Sequence, residues 1–288
     1  MSILEALRGG QPVIAAELRP PRAELDAARG MDAWIDTYHA VRRLVRGGTH
    51  VFLTDSAVGL REEDNLRHLV TNLGTDVPRA RIVPFLTCKH TLDYCLQYAE
   101  RAWQHGFPAL VVLGGDRSVG PPRCVPHAWQ LRRAIRARRP DLVLGGWANP
   151  HADPARQVDY LLDQEATADF FLTQVVSHHD AGKVERFVAE AQRRGLALPG
   201  IFGVFFYRSA NRQTLERLSA LLPVPVERIA AEFARGDAPE AICARTLRAL
   251  REAGAEHFYI SNLPPARAQA TLAAILERAG LEPARTAR

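Results

Sequence analysis

The stretch Ala16-Glu-Leu-Arg-Pro-Pro21 places a carboxylate, Glu17, at the end of the first apolar, strand-like run. The two prolines end that strand, because proline has no backbone N–H to donate to a neighbouring strand. Seven later apolar runs also end at a polar residue, at Thr54, Thr87, Asp116, Asn149, Gln174, Arg208 and Asn262. Polar side chains at the carboxyl ends of successive strands are typical of an active site at the mouth of a (β/α)8 barrel.

The pattern between these polar residues predicts alternating strands and helices. Most strand-like runs are nearly continuous in apolar residues, as expected for parallel strands covered on both faces. They are Val13–Glu17, His50–Thr54, Arg81–Thr87, Ala109–Leu113, Leu142–Trp147, Phe170–Thr173, Gly200–Phe206 and His257–Ile260. Stretches with helical periodicity lie between them, at Trp34–Val45, Asn65–Leu73, Leu92–Gln104, Ala128–Arg138, Ala155–Gln164, Val184–Arg194 and Ala266–Ala279. The sequence therefore predicts an α/β protein, a (β/α)8 TIM barrel.

The length of 288 residues fits one barrel domain spanning residues 1–288. We expect a short N-terminal helix at residues 2–8, extra helices between Asn211 and Gly254 before the last strand, and a flexible tail at residues 283–288. The competing architecture, a doubly wound open sheet, would require a glycine fingerprint that binds phosphate. Val112-Leu-Gly-Gly-Asp116 does not fit G-x-G-x-x-G, so the barrel is favoured.

Composition predicts a soluble, cytoplasmic protein, because the sequence shows neither a signal peptide nor an apolar run long enough to span a membrane. The net charge of +5 and the pI near 9.3 do not indicate nucleic-acid binding, since basic and acidic residues alternate along the helices. The four cysteines lack metal-ligand spacing and are expected to be reduced thiols. No metal site is expected at His178-His179, because adjacent side chains rarely converge on one ion.

Five segments at the predicted strand ends together resemble the methylenetetrahydrofolate reductase family, from about Val13 to Leu281. They are Ala16-Glu-Leu-Arg-Pro-Pro21, Phe85-Leu-Thr-Cys88, Leu113-Gly-Gly-Asp116, Trp147-Ala-Asn-Pro-His151 and Leu172-Thr-Gln174. The resemblance implies a (β/α)8 barrel, in agreement with the strand count. It also implies an oxidoreductase of one-carbon metabolism and methionine biosynthesis, which reduces 5,10-methylenetetrahydrofolate to 5-methyltetrahydrofolate with FAD and NADH or NADPH.

Through this resemblance, Glu17 corresponds to the family's general acid. Protonating N10 of the folate makes that nitrogen a leaving group, and a carboxyl group whose pKa is raised by a partly apolar barrel mouth could donate the proton near neutral pH. Asp116 corresponds to an aspartate that contacts the pterin and influences the flavin, and Gln174 to a glutamine that binds the folate. Arg208 and Arg267 are candidates to bind the glutamate tail, and Leu218 takes the place of an aromatic residue that packs on the aminobenzoate.

The resemblance weakens at the flavin. Thr54, Thr87, Trp147 and His151 are retained as expected cofactor contacts, and Arg156 or Arg117 could supply a cation. Three family positions differ, because Phe85 replaces a histidine, Gly114 an arginine and Asp163 a lysine. These changes leave two alternatives open: a flavin-independent pterin oxidoreductase that uses a nicotinamide or a deazaflavin, and a non-catalytic folate-binding subunit. A homo-oligomer or a partner subunit that donates electrons is compatible with each.

Overall fold

Eight parallel strands form a closed barrel in the order β1 to β8 in a computed structural model that describes residues 1–21, 25–55, 66, 70, 73–74, 77–163, 165 and 167–281. The strands are β1 (Ile14–Leu18), β2 (His50–Leu53), β3 (Ile82–Thr87), β4 (Ala109–Leu113), β5 (Val143–Ala148), β6 (Phe170–Val175), β7 (Gly200–Phe205) and β8 (His257–Ser261). The sheet closes because β1 pairs with both β2 and β8. The predicted TIM-barrel class is confirmed.

The described helices are α1 (Ile3–Leu7), α2 (Ala27–Arg46), α3 (Leu92–Gln104), α4 (Ala128–Arg138), α5 (Pro154–Leu162), α6 (Ala181–Arg193), α7 (Arg212–Ser219), α8 (Val226–Ala234), α9 (Pro239–Glu252) and α10 (Ala268–Ala279). Short 3-10 helices lie at Arg79–Arg81, His178–Asp180 and Pro265–Arg267. Most of the predicted helix Asn65–Leu73 and the predicted tail 283–288 lie outside the described residues. None of the described helices is long and apolar enough to cross a membrane.

Most predicted boundaries lie within one or two residues of the observed ones, and the largest difference is at α2. This helix begins at Ala27, seven residues before the predicted start at Trp34. The side chain of Asp26 caps the helix by accepting the backbone N–H of Arg29. Apolar periodicity misses that first part, because a helix can start at a capping residue before its buried face begins.

Side chains alternate between the two faces of the barrel wall. Ala15, Phe52 and Tyr259 belong to the buried cluster inside the barrel, while the neighbouring Ala16 and Ile260 pack in the cluster between the strands and the outer helices. This alternation follows from the two-residue period of a strand. It fixes which residues at each strand end can point into the mouth.

Additional helices cover both ends of the inner cluster. Ile3 and Leu7 of α1 belong to it, and α1 is capped by Ser2. Helices α7, α8 and α9 form an insert between β7 and β8, and one buried residue of each, Leu215, Ile229 and Ile242, joins the same cluster as Phe205 and Tyr207 at the mouth end of β7. The insert therefore packs beside the carboxyl end of the barrel.

Candidate active site at the barrel mouth

The mouth is lined by the last inward-facing residue of several strands. Side chains alternate between the two faces of each strand, so counting from the residues of the inner cluster shows which strand-end residues face inward. They are Glu17 on β1, Thr87 on β3, Leu113 on β4, Trp147 on β5, Phe205 on β7 and Ser261 on β8. Trp147 keeps 36% of its surface exposed, which is unusual for a large apolar side chain that faces a barrel interior. The mouth thus offers an open aromatic face and the carboxyl group of Glu17 on the same rim.

Glu17 is held by the strand next to it. Its Cα pairs with that of Ser261 across β1 and β8, and the Ser261 hydroxyl donates a hydrogen bond of 2.5 Å to Glu17 Oε1. Ser261 itself is buried. The carboxyl group is therefore fixed in orientation by a neighbour that the closure of the barrel supplies.

Burial raises the pKa of Glu17 from 4.5 to about 7, and this effect exceeds the opposing effects of the Ser261 hydrogen bond and the positive charge of Arg19. The charged form is disfavoured because a carboxylate loses its hydration inside the barrel. A carboxyl group with a pKa near 7 is protonated in a substantial fraction of molecules at neutral pH. Glu17 has the properties that a general acid requires.

Asp116 lies in the turn after β4, where it organises the local backbone. Its Oδ1 accepts hydrogen bonds from the backbone N–H and hydroxyl of Ser118, both at 2.7 Å, and from the N–H of Val119 at 3.2 Å. The Ser118 bonds are the main reason that the pKa of Asp116 lies below its usual value. As placed here, Asp116 is an ionised turn residue at the rim.

Gln174 lies at an irregularity in β6. The register with β7 shifts between Leu172 and Val175, and both of those residues belong to the inner cluster. The side-chain Oε1 of Gln174 accepts the backbone N–H of Val175 at 3.0 Å. The amide therefore folds onto its own strand in this conformation.

Thr87 is fully buried, and its backbone N–H and hydroxyl both donate to Asp55 Oδ2, at 2.8 and 2.9 Å. The same oxygen lies 2.8 Å from His90 Nε2. Thr54, the other expected threonine contact, donates its backbone N–H to the carbonyl of Leu18. The two threonines support the loops around the mouth, and Asp55 is the polar group that Thr87 orients.

His151 is held by two partners. Its Nε2 donates to the carbonyl of Val175 at 3.0 Å, and its Nδ1 accepts from Lys183 Nζ at 3.2 Å. Arg156 lies on the exposed face of α5, where its Nε donates to the Tyr160 hydroxyl at 2.6 Å. Of the residues expected to contact FAD, Trp147 alone presents a large exposed surface to the mouth.

Gly114 stands where the family has an arginine, and the side chain of a later residue, Arg123, lies against it. A Cβ added to Gly114 would lie 2.6 Å from Cζ of Arg123, so the guanidinium of Arg123 covers the glycine. Arg123 also donates to the carbonyl of Gly115. Arg123 thus places a cation beside this turn, whereas Arg156 lies on α5 with Tyr160.

The residues expected to bind the folate tail lie around β7 and β8. Arg208 follows β7 and donates to the carbonyls of Asn262 and Leu263, each at 3.0 Å. Arg267 is exposed at the N-terminal end of α10, and Leu218 on α7 packs against the inner cluster. The structure brings Arg208 to the rim between two strand ends.

Asp163 is placed at the opposite end of the barrel from the mouth. It follows the last residue of α5 and accepts the backbone N–H of Glu165 at 2.9 Å. Because the helices of a (β/α)8 barrel run back from the mouth, the end of α5 is distant from the strand ends. The lysine-to-aspartate change therefore does not place a negative charge at the mouth.

Three residues of the site were not predicted from the sequence: Ser261, Asp55 and Arg123. Ser261 and Asp55 each lie next to a polar residue that marks a strand end, Asn262 and Thr54, so extending those runs by one residue would have found them. No local pattern connects Arg123 with Gly114, because the contact depends on the path of the loop after β4.

The sequence matches the family model of methylenetetrahydrofolate reductase over residues 2–249. No curated protein matches it.

One solved structure shares the fold. An uncharacterized protein from Clostridium thermocellum, which binds two copies of 5-methyl-5,6,7,8-tetrahydrofolic acid, is 16% identical, with a TM-score of 0.68 over 97% of this chain and 98% of that one. The Ruminococcus gnavus sialic acid aldolase is 10% identical, with a TM-score of 0.47 over 86% of this chain and 67% of its own.

Proposed function

Since the chain belongs to the methylenetetrahydrofolate reductase family, we propose that it reduces 5,10-methylenetetrahydrofolate to 5-methyltetrahydrofolate by hydride transfer, with Glu17 as the general acid at N10. The observation that carries this proposal is the carboxyl group of Glu17, which lies at the barrel mouth, is held by Ser261 and has a pKa of about 7. The folate bound by the Clostridium thermocellum protein of similar fold supports the substrate class.

The chemistry accounts for each proton and electron pair. Glu17 donates its proton to N10 as the bond between the bridging carbon and N10 breaks, and the electron pair of that bond stays on N10. The resulting N5 iminium accepts a hydride at the bridging carbon, which becomes the methyl group. Glu17 is left as a carboxylate and recovers its proton from solvent.

Trp147 offers a surface for the flat pterin ring. Its exposed indole faces the mouth on β5, and a planar ring can stack on such a surface at a favourable distance. In our proposal, Asp116 and Gln174 bind the pterin edge through Oδ2 and Nε2, since the bonds from Ser118, Val119 and Val175 go to Oδ1 of Asp116 and Oε1 of Gln174. Arg208 and Arg267 are the cations proposed for the glutamate tail, beside Leu218.

Hydride is proposed to come from NADH or NADPH without a resident flavin. FAD requires polar contacts, but several of the described residues expected to contact it have protein partners: Thr87 is buried on Asp55, His151 is held by Lys183, and Arg156 lies on Tyr160. These residues do not fit FAD as they are arranged. The flavin-independent form of the reductase is therefore the one we propose.

Two measurements test the proposal. The purified protein should turn over methylenetetrahydrofolate with NADH or NADPH while its visible spectrum shows no flavin, before or after incubation with FAD and removal of the excess. A yellow protein that is active only with bound FAD would overturn the flavin-independent form. Folate binding without turnover with either nicotinamide or a reduced deazaflavin would instead indicate the non-catalytic subunit.

Glu17→Gln tests the general acid. The variant should still bind folate, and its turnover should fall about 10²- to 10⁴-fold, the usual contribution of general acid catalysis. Glu277→Gln, which alters an exposed carboxylate on α10 away from the mouth, serves as the matched control and should retain wild-type turnover. Near-normal turnover of Glu17→Gln would eliminate the assigned role.

A further inference from the structure

Two imidazoles and a carboxylate converge beside the mouth, apart from the residues assigned to folate chemistry. His178 and His179 form the 3-10 turn after β6, and Glu232 comes from α8 of the insert. One ligand atom from each of the three lies within 4.8 Å of the others. The sequence argument against a metal was that adjacent histidines rarely converge, yet here the two ring centroids are 4.0 Å apart and both rings face Glu232.

Two polar atoms of this cluster are buried without a hydrogen-bond partner among the described residues. They are His179 Nε2 and Glu232 Oε2, which lie 3.7 Å apart. The Glu232 side chain is only 2% exposed, so bulk solvent does not reach it. Leaving a buried polar atom without a hydrogen bond destabilises a protein, and more so when the group is charged. Both atoms point to a ligand between them.

The ring of His178 is held between Thr246 and Glu232. Its Nδ1 lies 2.9 Å from the Thr246 hydroxyl, and its Nε2 lies 2.8 Å from Glu232 Oε1. Nε2 is therefore the nitrogen directed at the carboxylate, and either a proton or a metal ion can lie between the two atoms. A proton there would still leave His179 Nε2 and Glu232 Oε2 unpaired.

The spacing suits a small tetrahedral ion. Ligand bonds of about 2.0–2.1 Å to Zn²⁺ place the ligand atoms roughly 3.3–3.4 Å apart in a tetrahedron. The observed separations, 2.8 Å for His178 Nε2 to Glu232 Oε1 and 3.7 Å for His179 Nε2 to Glu232 Oε2, lie on either side of that value. Small side-chain rotations would bring three ligands to one ion.

The neighbouring arginines contact one oxygen of the carboxylate. Arg245 forms an ion pair with Glu232 Oε1, and it also contacts Asp237 Oδ2 at 3.2 Å. Arg235 lies farther away, 4.0 Å from Glu232 Oε1 and 3.5 Å from Asp237. Two guanidinium groups thus serve two carboxylates, and their contacts with Glu232 are to Oε1, on the side away from the unpaired Oε2.

We propose that His178, His179 and Glu232 bind a divalent transition-metal ion of the zinc class, through Nε2 of both imidazoles and the carboxylate of Glu232. Two nitrogen ligands and one oxygen favour Zn²⁺ or Co²⁺ over Mg²⁺ and Ca²⁺, which prefer oxygen. Thr246 is a positioning residue that holds the His178 ring with Nε2 toward the ion. The ion would join the insert to the turn after β6.

Titration of the metal-free full-length protein tests the site. After treatment with a chelator, the protein should bind one Zn²⁺ by calorimetry, and Co²⁺ should give the visible absorption of a four-coordinate complex. Mg²⁺ should produce no binding heat. If neither Zn²⁺ nor Co²⁺ binds in a 1:1 ratio, the cluster is only a protonated histidine–carboxylate pair and the proposal is overturned.

Variants identify the ligands. Glu232→Gln and His179→Ala should each abolish the Co²⁺ spectrum, and His179, whose side chain is 20% exposed, can be truncated with little effect on the core. Thr246→Val should keep the spectrum with about 10- to 100-fold weaker affinity, as expected for a residue that orients a ligand. His39→Ala, which removes an exposed imidazole on α2, is the control and should bind as the wild type does. If His179→Ala binds the metal as the wild type does, the metal binds elsewhere on the protein and the proposed site is wrong.

Discussion

At the scale of single residues, the proposed chemistry depends on the balance that sets the pKa of Glu17. Burial raises this pKa to about 7, and the hydrogen bond from Ser261 lowers it. A general acid works only while it is protonated, so kcat/KM should fall as the pH rises through about 7. The pH profile of the wild-type protein therefore reports directly on this carboxyl group.

Ser261→Ala should move that profile to higher pH. Removing a hydrogen bond that favours the carboxylate raises the pKa by about one unit, since such a bond contributes about 1.5 kcal/mol. We expect the half-maximal point of kcat/KM to shift upward while activity at low pH is retained. Ser209→Ala, at an exposed site after β7, should leave the profile in place. If the Ser261→Ala profile coincides with that of the wild type, Glu17 is not the group whose ionisation sets the pH dependence of kcat/KM.

Arg123 is predicted to supply the positive charge that Gly114 lacks. Arg123→Met keeps the aliphatic stem and removes the cation, so the KM for NADH or NADPH should rise by roughly 10- to 100-fold, the range for a lost bond to a charged group. Gly114→Ala should act in the same direction, because its Cβ would lie 2.6 Å from the guanidinium carbon. Arg133→Met, at an exposed position on α4, is the control. Unchanged KM values in both variants would limit Arg123 to holding the Gly115 carbonyl.

At the scale of elements, β6, β7 and β8 are joined through Gly203. The Tyr259 hydroxyl on β8 donates to the carbonyl of Thr173 at 2.7 Å, and the Thr173 hydroxyl accepts the N–H of Gly203 at 3.0 Å. A Cβ at Gly203 would lie 2.5 Å from the Tyr259 oxygen. The glycine therefore provides the space in which the tyrosine reaches the irregular part of β6.

Gly203→Ala should destabilise the barrel by about 1–3 kcal/mol, because the added methyl displaces Tyr259 from its hydrogen bond in a packed interior. Urea unfolding followed by circular dichroism measures the change. Tyr259→Phe, which removes the hydroxyl alone, should account for part of the loss. Gly182→Ala, in an exposed position of α6, should be neutral or slightly stabilising. If Gly203→Ala is as stable as the wild type, the side chains around Gly203 accommodate the added methyl group without a loss of stability.

Elements were easier to predict from the sequence than the contacts between them. Apolar runs identified all eight strands, because burial on both faces of a parallel sheet leaves a strong local signal. The shift of register after Leu172 has no local signal in the sequence, because it depends on how β6 pairs with β7. Glu17 is predicted as a site residue from its place at a strand end, whereas Glu232 meets His178 across 54 residues of chain. Local patterns do not encode such pairs.

At the scale of the whole molecule, the two ends of the barrel respond to acid in opposite ways. At the bottom, burial lowers the pKa of His50 from 6.5 to about 4, so the unfolded chain binds more protons and stability is lost as the pH falls below 6.5. At the mouth, burial raises the pKa of Glu17 from 4.5 to about 7, so the folded chain binds more protons and stability is gained as the pH falls from 7 to 4.5. Each shift corresponds to about 3 kcal/mol.

These opposing contributions should partly cancel between about pH 6.5 and 4.5, and single variants should separate them. Glu17→Gln should lose more stability than the wild type on acidification, because only the histidine contribution is left. His50→Gln should lose less, although His257, whose Nδ1 accepts the N–H of Val13 and whose pKa is also lowered by burial, keeps some sensitivity to acid. Urea midpoints at several pH values measure this, with exposed His39→Gln as the control. Parallel curves for all four proteins would mean that neither group changes its proton affinity on folding.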